Sequence, residues 1–151
     1  MKIAVLVKQV PGGDSPLRIS DDQLWIKEEN VNFITNESDS YAVEEALQLK
    51  ETLGEGEVVT VSLGPERAQR TIREALSKGA DRGIYIEESY PYASDPLQIA
   101  RTFASALKGE NFDLILTGLQ SDDFGFGQVG IILGEMLGMS TATLVMATEL
   151  A

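Results

Sequence analysis

Leu114-Ile-Leu-Thr-Gly-Leu-Gln-Ser-Asp-Asp-Phe-Gly-Phe-Gly-Gln-Val-Gly130 decides how the rest of the chain is read. A short apolar strand feeds a loop of glycines and aspartates, and a helix opens near Gln128. In an open α/β sheet such a junction lies at the carboxyl edge of a strand, where ligands bind. Glycines there let the backbone adopt positive φ and approach a ligand closely. The first N–H groups of the helix lack intrahelical acceptors and suit a phosphate. The same stretch also reads as an ordinary strand-to-helix loop, in which glycine is common.

Outward from this junction, strands and helices alternate. Ile3-Ala-Val-Leu-Val7 is a continuous apolar run suited to a buried parallel strand, stopped by Lys8-Gln9-Val10-Pro11-Gly12-Gly13. Arg18-Ile-Ser20 and Leu24-Trp-Ile26 suggest a short hairpin. From about Ser40 the apolar residues Ala42, Val43, Ala46, Leu47 and Leu53 form a helical stripe, with Ser38 or Asp39 as its cap and Gly54 as its stop. Glu57–Leu63 reads as a strand, and Gly64-Pro65 leads into a helix ending near Ser77, with Gly79 as its cap. Gly83–Glu87 reads as a strand, Asp95-Pro96 as the start of a helix, Phe112–Thr117 as a strand and Val129–Leu137 as a helix. Thr141–Leu150 reads as the start of a fifth strand. The expectation is an α/β fold, one domain over residues 1–151, with a mainly parallel open sheet and helices on both faces.

Composition narrows the chemistry. The chain has 151 residues, 43% of them hydrophobic, and a formal net charge of -12. So acidic a surface repels a phosphate backbone, which disfavours nucleic acid, whereas a few backbone donors can still hold a mononucleotide. No apolar run is long enough to span a bilayer, and Met1-Lys2-Ile3 opens directly into a strand, so a cytoplasmic location without membrane insertion is expected. With no cysteine and no histidine, disulfides, thiolate catalysis, iron–sulfur ligation and a histidine base are excluded. A binding or carrier role is favoured over hydrolysis.

Several residues admit two readings. Gly125-x-Gly127-x-x-Gly130 has the spacing of a dinucleotide fingerprint but follows the fourth strand of the main sheet rather than opening the domain. Asp122 and Asp123 suit either a metal ion or a solvated, capped turn, and the turn is the simpler assignment. Phe124 and Phe126 either shield an adenine or anchor the loop. Lys8 either meets a phosphate or stays solvated, Asn36 is a turn residue before the first helix, and Tyr90-Pro-Tyr92 reads as an exposed turn.

In order along the chain, four stretches resemble the β subunit of electron-transfer flavoprotein. They are Met1-Lys-Ile-Ala-Val-Leu-Val-Lys-Gln-Val10, Asn36-Glu-Ser-Asp-Ser-Tyr-Ala-Val-Glu-Glu-Ala-Leu-Gln-Leu-Lys-Glu51, Val59–Pro65 with Arg73–Arg82, and Gly118-x-Gln120 through Gln128-Val-Gly130. The resemblance covers the whole chain and implies a Rossmann-like, HUP-like adenine-nucleotide-binding fold. It implies a heterodimer with an α subunit that holds most of a redox-active FAD, and flavin-dependent dehydrogenases as further partners. The β subunit is then an electron carrier, not an enzyme, and binds AMP, or a second FAD in the same site in electron-bifurcating relatives. Carried over residue by residue, the pocket uses Leu6, Asn36, Glu37, Ser38, Asp39 and Leu63. It also uses the loop of Gln120, Ser121, Asp122, Asp123, Phe124, Gly125, Phe126, Gly127, Gln128, Val129 and Gly130. Family members continue further, so the resemblance implies a shortened chain whose open sheet edge favours self-association. A different reading is a stand-alone adenine-nucleotide module resembling universal stress proteins.

Overall fold

The computed structural model describes residues 1–89 and 94–149. Ile3–Val7 is apolar because β1 (Lys2–Leu6) lies at the centre of the molecule, buried on both faces. The other elements are β2 (Gln9–Pro11), β3 (Phe33–Thr35), α1 (Glu37–Leu53), β4 (Glu57–Gly64), α2 (Gln69–Lys78), β5 (Arg82–Glu87), α3 (Pro96–Leu107), β6 (Leu114–Thr117) and α4 (Val129–Leu137). The main sheet has the order β5-β4-β1-β6, with every neighbouring pair parallel. From β1 the chain adds β4 and then β5 on one side and returns to place β6 on the other. The carboxyl ends of β1 and β6 therefore flank a topological switch point.

Alternation along the strands divides the core into two layers. Ile3, Val5 and Val58 point toward α1 and α2, where they pack with Val43, Ala46, Leu47 and Ala75. Ala4, Leu6, Val59 and Val61 point the other way, against Ala100, Phe103 and Leu107 of α3 and Leu133 of α4. The expected mainly parallel α/β sheet with helices on both faces is what forms.

Four local expectations need correction. Lys8–Gly13 does not simply turn. It continues as β2 and pairs antiparallel with β3, because Pro11, which has no N–H, sits acceptably in a two-stranded ribbon. The hairpin of Arg18–Ile26 is reduced to one bridge, Ile19 with Ile26, closed by bonds from Ser20 N–H to Trp25 O (2.8 Å) and Lys27 N–H to Arg18 O (2.7 Å). Helix α1 starts at Glu37 with Asn36 in the capping position, and neither Ser38 nor Asp39 caps it. Strand β6 begins at Leu114 rather than Phe112.

The largest departure is at Thr141–Leu150, which forms no strand over its described residues, 141–149. Leu144 sits at φ +56°, which breaks an extended run. Thr141 packs against Gly134 of α4, while Thr148 N–H and hydroxyl both donate to the Glu45 carboxylate on α1. The segment therefore passes from the layer of one face to that of the other instead of lying along a strand. The segment does not pair with β6, the edge strand of the sheet, and strand propensity yields to such tertiary context. Tyr90-Pro-Tyr92 and Leu150 lie outside the described residues.

At the amino edge, Lys2 and Arg82 alternate with Glu57 and Glu110 in a ring of ion pairs, at 2.8 Å for Lys2–Glu110, 3.0 Å for Arg82–Glu57 and 2.7 Å for Arg82–Glu110. The carboxyl edge is built differently and carries the candidate site. Stability rests on the two apolar layers, so Leu133→Ala, which empties a position 1% exposed, is expected to cost about 3 kcal/mol. Met146→Ala, at a side chain 98% exposed, is expected to be neutral within about 0.5 kcal/mol. Urea denaturation of both variants checks the contrast.

Candidate functional site

Asp39, in the first turn of α1, reaches across the switch point. Its Oδ2 accepts the Lys8 N–H just past β1 (2.8 Å) and its Oδ1 accepts the Gly118 N–H just past β6 (3.2 Å). One carboxylate thus joins two strand ends that have no hydrogen bond to each other beyond the sheet register. Gly118 is required for this approach, since a Cβ there would stand 2.1 Å from Asp39 Oδ1 and 2.4 Å from Ser38 Oγ. Burial pushes the Asp39 carboxyl up from its ordinary 3.8 to about 6, against the opposing pull of its N–H donors.

Asn36, fully buried, performs the matching task for the loop after β6. Its Nδ2 donates to the Gln120 carbonyl (2.9 Å) and to Ser38 Oγ (2.9 Å), its Oδ1 accepts from Asp122 N–H (3.0 Å), and its own N–H donates to Lys8 O (2.9 Å). Ser38 Oγ also donates to Gln120 O (2.9 Å). Both polar atoms of the Asn36 side chain are committed to the loop after β6, and Asn36 makes no side-chain cap on α1.

The loop is shaped further by Asp123. It accepts Lys8 Nζ (2.5 Å) and Phe124 N–H (2.7 Å), so Lys8 and Asp123 form a pair bridging β1 and the loop that neither sequence reading anticipates. Lys8 Nζ also lies 4.5 Å from the centroid of the Phe124 ring. Phe124 and Phe126 stack at 5.5 Å between centroids, with Phe126 half exposed. Gly125 and Gly127 sit at φ +63° and +61°, the left-handed region that side chains resist. Helix α4 then opens with Gln128 in the capping position and no side-chain cap, leaving the N–H groups of its first turn directed into the loop region. Gly130 lies against β6, where a Cβ would meet Thr117 Oγ1 at 2.8 Å.

Beside this loop lies a pocket lined by Lys8, Trp25, Phe33, Leu63, Arg67 and Phe124. It encloses about 30 Å³, room for a water molecule rather than a base. Arg67 closes one wall. Its guanidinium lies 3.6 Å from the centroid of Phe33, donates to Gln9 Oε1 (2.7 Å), and pairs through Nε and Nη2 with Glu28 (3.1 and 2.7 Å). That bonding holds the Glu28 carboxyl below its ordinary range. Trp25 completes the wall, tilted at 56° to Phe124 with centroids 5.9 Å apart, its indole N–H donating to Glu28 Oε1 (3.1 Å).

The family model of the electron transfer flavoprotein domain matches residues 23–151. The chain belongs to the electron transfer flavoprotein family. Its curated relatives include the electron transfer flavoprotein subunit beta of Syntrophomonas wolfei subsp. wolfei, 38% identical over 151 residues, covering 100% of this chain and 58% of the relative. The subunit beta of Bradyrhizobium diazoefficiens is 38% identical over 149 residues, covering 99% of this chain and 59% of the relative. The mitochondrial subunit beta of Arabidopsis thaliana is 37% identical over 143 residues, covering 95% and 56% respectively. The chain spans less than two thirds of the length of these relatives.

Of the residues the resemblance to this flavoprotein family singles out, Asn36, Ser38, Asp39 and Gln120–Phe124 form one bonded cluster. Glu37 is exposed on the first turn of α1, bonded to Tyr41 hydroxyl (2.9 Å). Leu6 is buried at the end of β1, and Leu63 lines the neighbouring pocket at the end of β4. Gly125–Gln128 stay at the surface, and Val129 and Gly130 open α4. Sequence reasoning missed Trp25, Phe33, Gln9 and Arg67. The chain's sole tryptophan, in the excursion between β2 and β3, was the available signal, as was an arginine just past the carboxyl end of β4.

Because Asp39 keeps its proton longer when folded than when unfolded, it contributes no penalty below about pH 4 and an increasing one as pH rises to about 6, levelling near 3 kcal/mol. Stability is therefore expected to fall by about 1 kcal/mol through this group between pH 5 and pH 7. Asp39→Asn is expected to flatten that slope. Urea midpoints of both proteins at the two pH values decide it: equal slopes would mean that Asp39 ionises at an ordinary pH.

Proposed function

We propose that this chain is the nucleotide-binding portion of an electron transfer flavoprotein β subunit, holding AMP at the carboxyl edge of its sheet, with FAD as the alternative in the same place. What carries the reading is the brace of Asn36 and Asp39. It gathers the opening of α1, the end of β1 and the loop after β6 around one switch point, where ligands of such sheets bind. The family match supports the same reading.

The groups on offer suit an adenine nucleotide. Backbone N–H groups at the start of α4, approached over Gly125 and Gly127, fit a phosphate in a protein whose net charge of -12 would otherwise repel it. The aromatic rings of Phe124 and Phe126 offer flat apolar surface to a base. Lys8 is the cation at hand, and its partner Asp123 keeps it positioned beside the loop.

In this account the protein pairs with an α subunit that holds a redox-active FAD, receives electrons from flavin-dependent dehydrogenases, and acts as a carrier rather than an enzyme. The flavin supplies the electron chemistry, since the chain has neither cysteine nor histidine. Its own residues bind and orient the nucleotide and hold the strand ends in place.

Denaturing the purified protein and separating the released small molecules by chromatography is expected to yield AMP, or to yield AMP after prior incubation with it. Stoichiometric FAD without AMP would reassign the site to FAD, and no binding of either would overturn the reading. Gly127→Val places a branched side chain at φ +61° and is expected to weaken AMP at least about tenfold with the circular dichroism spectrum retained. Gly130→Val is the harsher change, because its side chain also meets Thr117.

A further inference from the structure

No residue from 13 to 32 is buried, although Leu17, Ile19, Leu24 and Trp25 lie among them. The stretch nevertheless has local order of its own. Ser20 Oγ donates to Trp25 O (2.7 Å) and accepts Trp25 N–H (3.1 Å), Asp22 accepts Leu24 N–H (3.1 Å), and Lys27 pairs with Asp21 (2.6 Å). It leaves the β2–β3 ribbon through a neck, where Gly12 N–H donates to Asn32 O (2.8 Å) and Ser15 Oγ accepts Asn32 N–H (3.0 Å). A segment that is ordered within itself and buries nothing in the core is drawn from the low-stability end of a fold. What fastens it to the rest then decides how it behaves.

Arg67, just past β4, is one such fastening. Its Nη1 donates to Gln9 Oε1 (2.7 Å), its carbonyl accepts Gln9 Nε2 (3.0 Å), and its guanidinium lies over Phe33. Gln9 and Phe33 are both buried, so the guanidinium is fixed from the ribbon side. Its remaining donors, Nε and Nη2, face Glu28, and Glu28 in turn accepts the indole N–H of Trp25. We propose that residues 13–32 are a strap that opens as a unit while the sheet stays folded, with Arg67 as the positioning residue that latches it through Glu28. The two side chains of the latch are 44% and 27% exposed, and such a pair contributes little in water, so the strap is poised near its opening. Simultaneous bonds to Gln9 and Glu28 require the planar fork of an arginine, which a lysine ammonium does not reproduce. Opening withdraws Trp25 from Phe124, so the state of the strap is felt in the loop after β6. It needs no nucleotide and is tested on the protein alone.

Trp25 is the sole tryptophan of the chain, so its emission reports on the strap, while far-ultraviolet circular dichroism reports on the helices of the two core layers. In urea the emission transition is expected at a lower midpoint than the dichroism transition, as for a unit that opens separately. Arg67→Met and Glu28→Gln are each expected to lower the emission midpoint by at least about 1 M, with the dichroism midpoint within about 0.5 M of wild type. The two substitutions together are expected to act no more strongly than Arg67→Met alone, because both cut the same latch. Arg67→Lys, which keeps the charge and loses the fork, is expected to behave as Arg67→Met does. Glu28→Gln changes an exposed side chain and carries the test should Arg67→Met fail to fold. Coincident transitions in wild type and variants would overturn the separate opening. An emission midpoint unmoved by substitution at Arg67 and at Glu28 would overturn the latch. Equal shifts of both midpoints would overturn it as well and make Arg67 an ordinary stabilising residue of the whole fold.

Discussion

The Asp39 carboxylate between Lys8 N–H and Gly118 N–H is the contact on which the carboxyl edge depends. Strands β1 and β6 pair through Leu6 and Thr117, and beyond that register their chains must diverge, one into β2 and the other into the long loop. Diverging ends expose backbone donors, and leaving such groups unpaired is costly when they are buried. Asp39 answers two of them at once. It does so from a position 7% exposed, at the expense of keeping a carboxyl where ionisation is disfavoured. The neighbouring Asn36 answers a third and fixes the loop that follows β6.

That arrangement explains why the carboxyl edge is distinct from the opposite one. At the amino edge, Lys2, Glu57, Arg82 and Glu110 neutralise one another in a partly exposed ring. At the carboxyl edge, Asn36 and Asp39 are buried and committed to the backbone of other segments, and Gly125 and Gly127 stand at positive φ. The first edge joins strand starts with interactions that are individually weak. The second presents the backbone N–H groups of the first turn of α4 beside an aromatic surface.

Much of the fold was legible because the apolar runs are long and differ in period. Ile3–Val7 and Val58–Val61 are continuous, as strands buried on both faces must be, and the stripe of Val43, Ala46 and Leu47 repeats at helical spacing. Elements that depend on a partner were not legible. Gln9–Pro11 becomes a strand only because Phe33–Thr35 comes to lie beside it, and Thr141–Met146 stays irregular although its residues favour a strand. The loop from Gln120 to Gly130 was visible through its glycines. Asn36 and Asp39 were visible as helix-start residues, but their side-chain bonds to other segments, 31 to 86 residues away along the chain, leave no local trace. Trp25 and Arg67 went unnoticed for the same reason, since only folding brings the excursion onto the end of β4.

We propose that a nucleotide sits at the carboxyl edge which Asn36 and Asp39 hold together. The most direct measurement is a titration of the isotope-labelled protein with AMP, followed by the shifts of its assigned backbone amides. The shifts are expected to concentrate in Asn36–Asp39, Lys8 and Gln120–Gly130, with Lys2, Glu57, Arg82 and Glu110 at the opposite edge unmoved. Saturable shifts clustered at the amino edge, or none in the loop from Gln120 to Gly130, would contradict it.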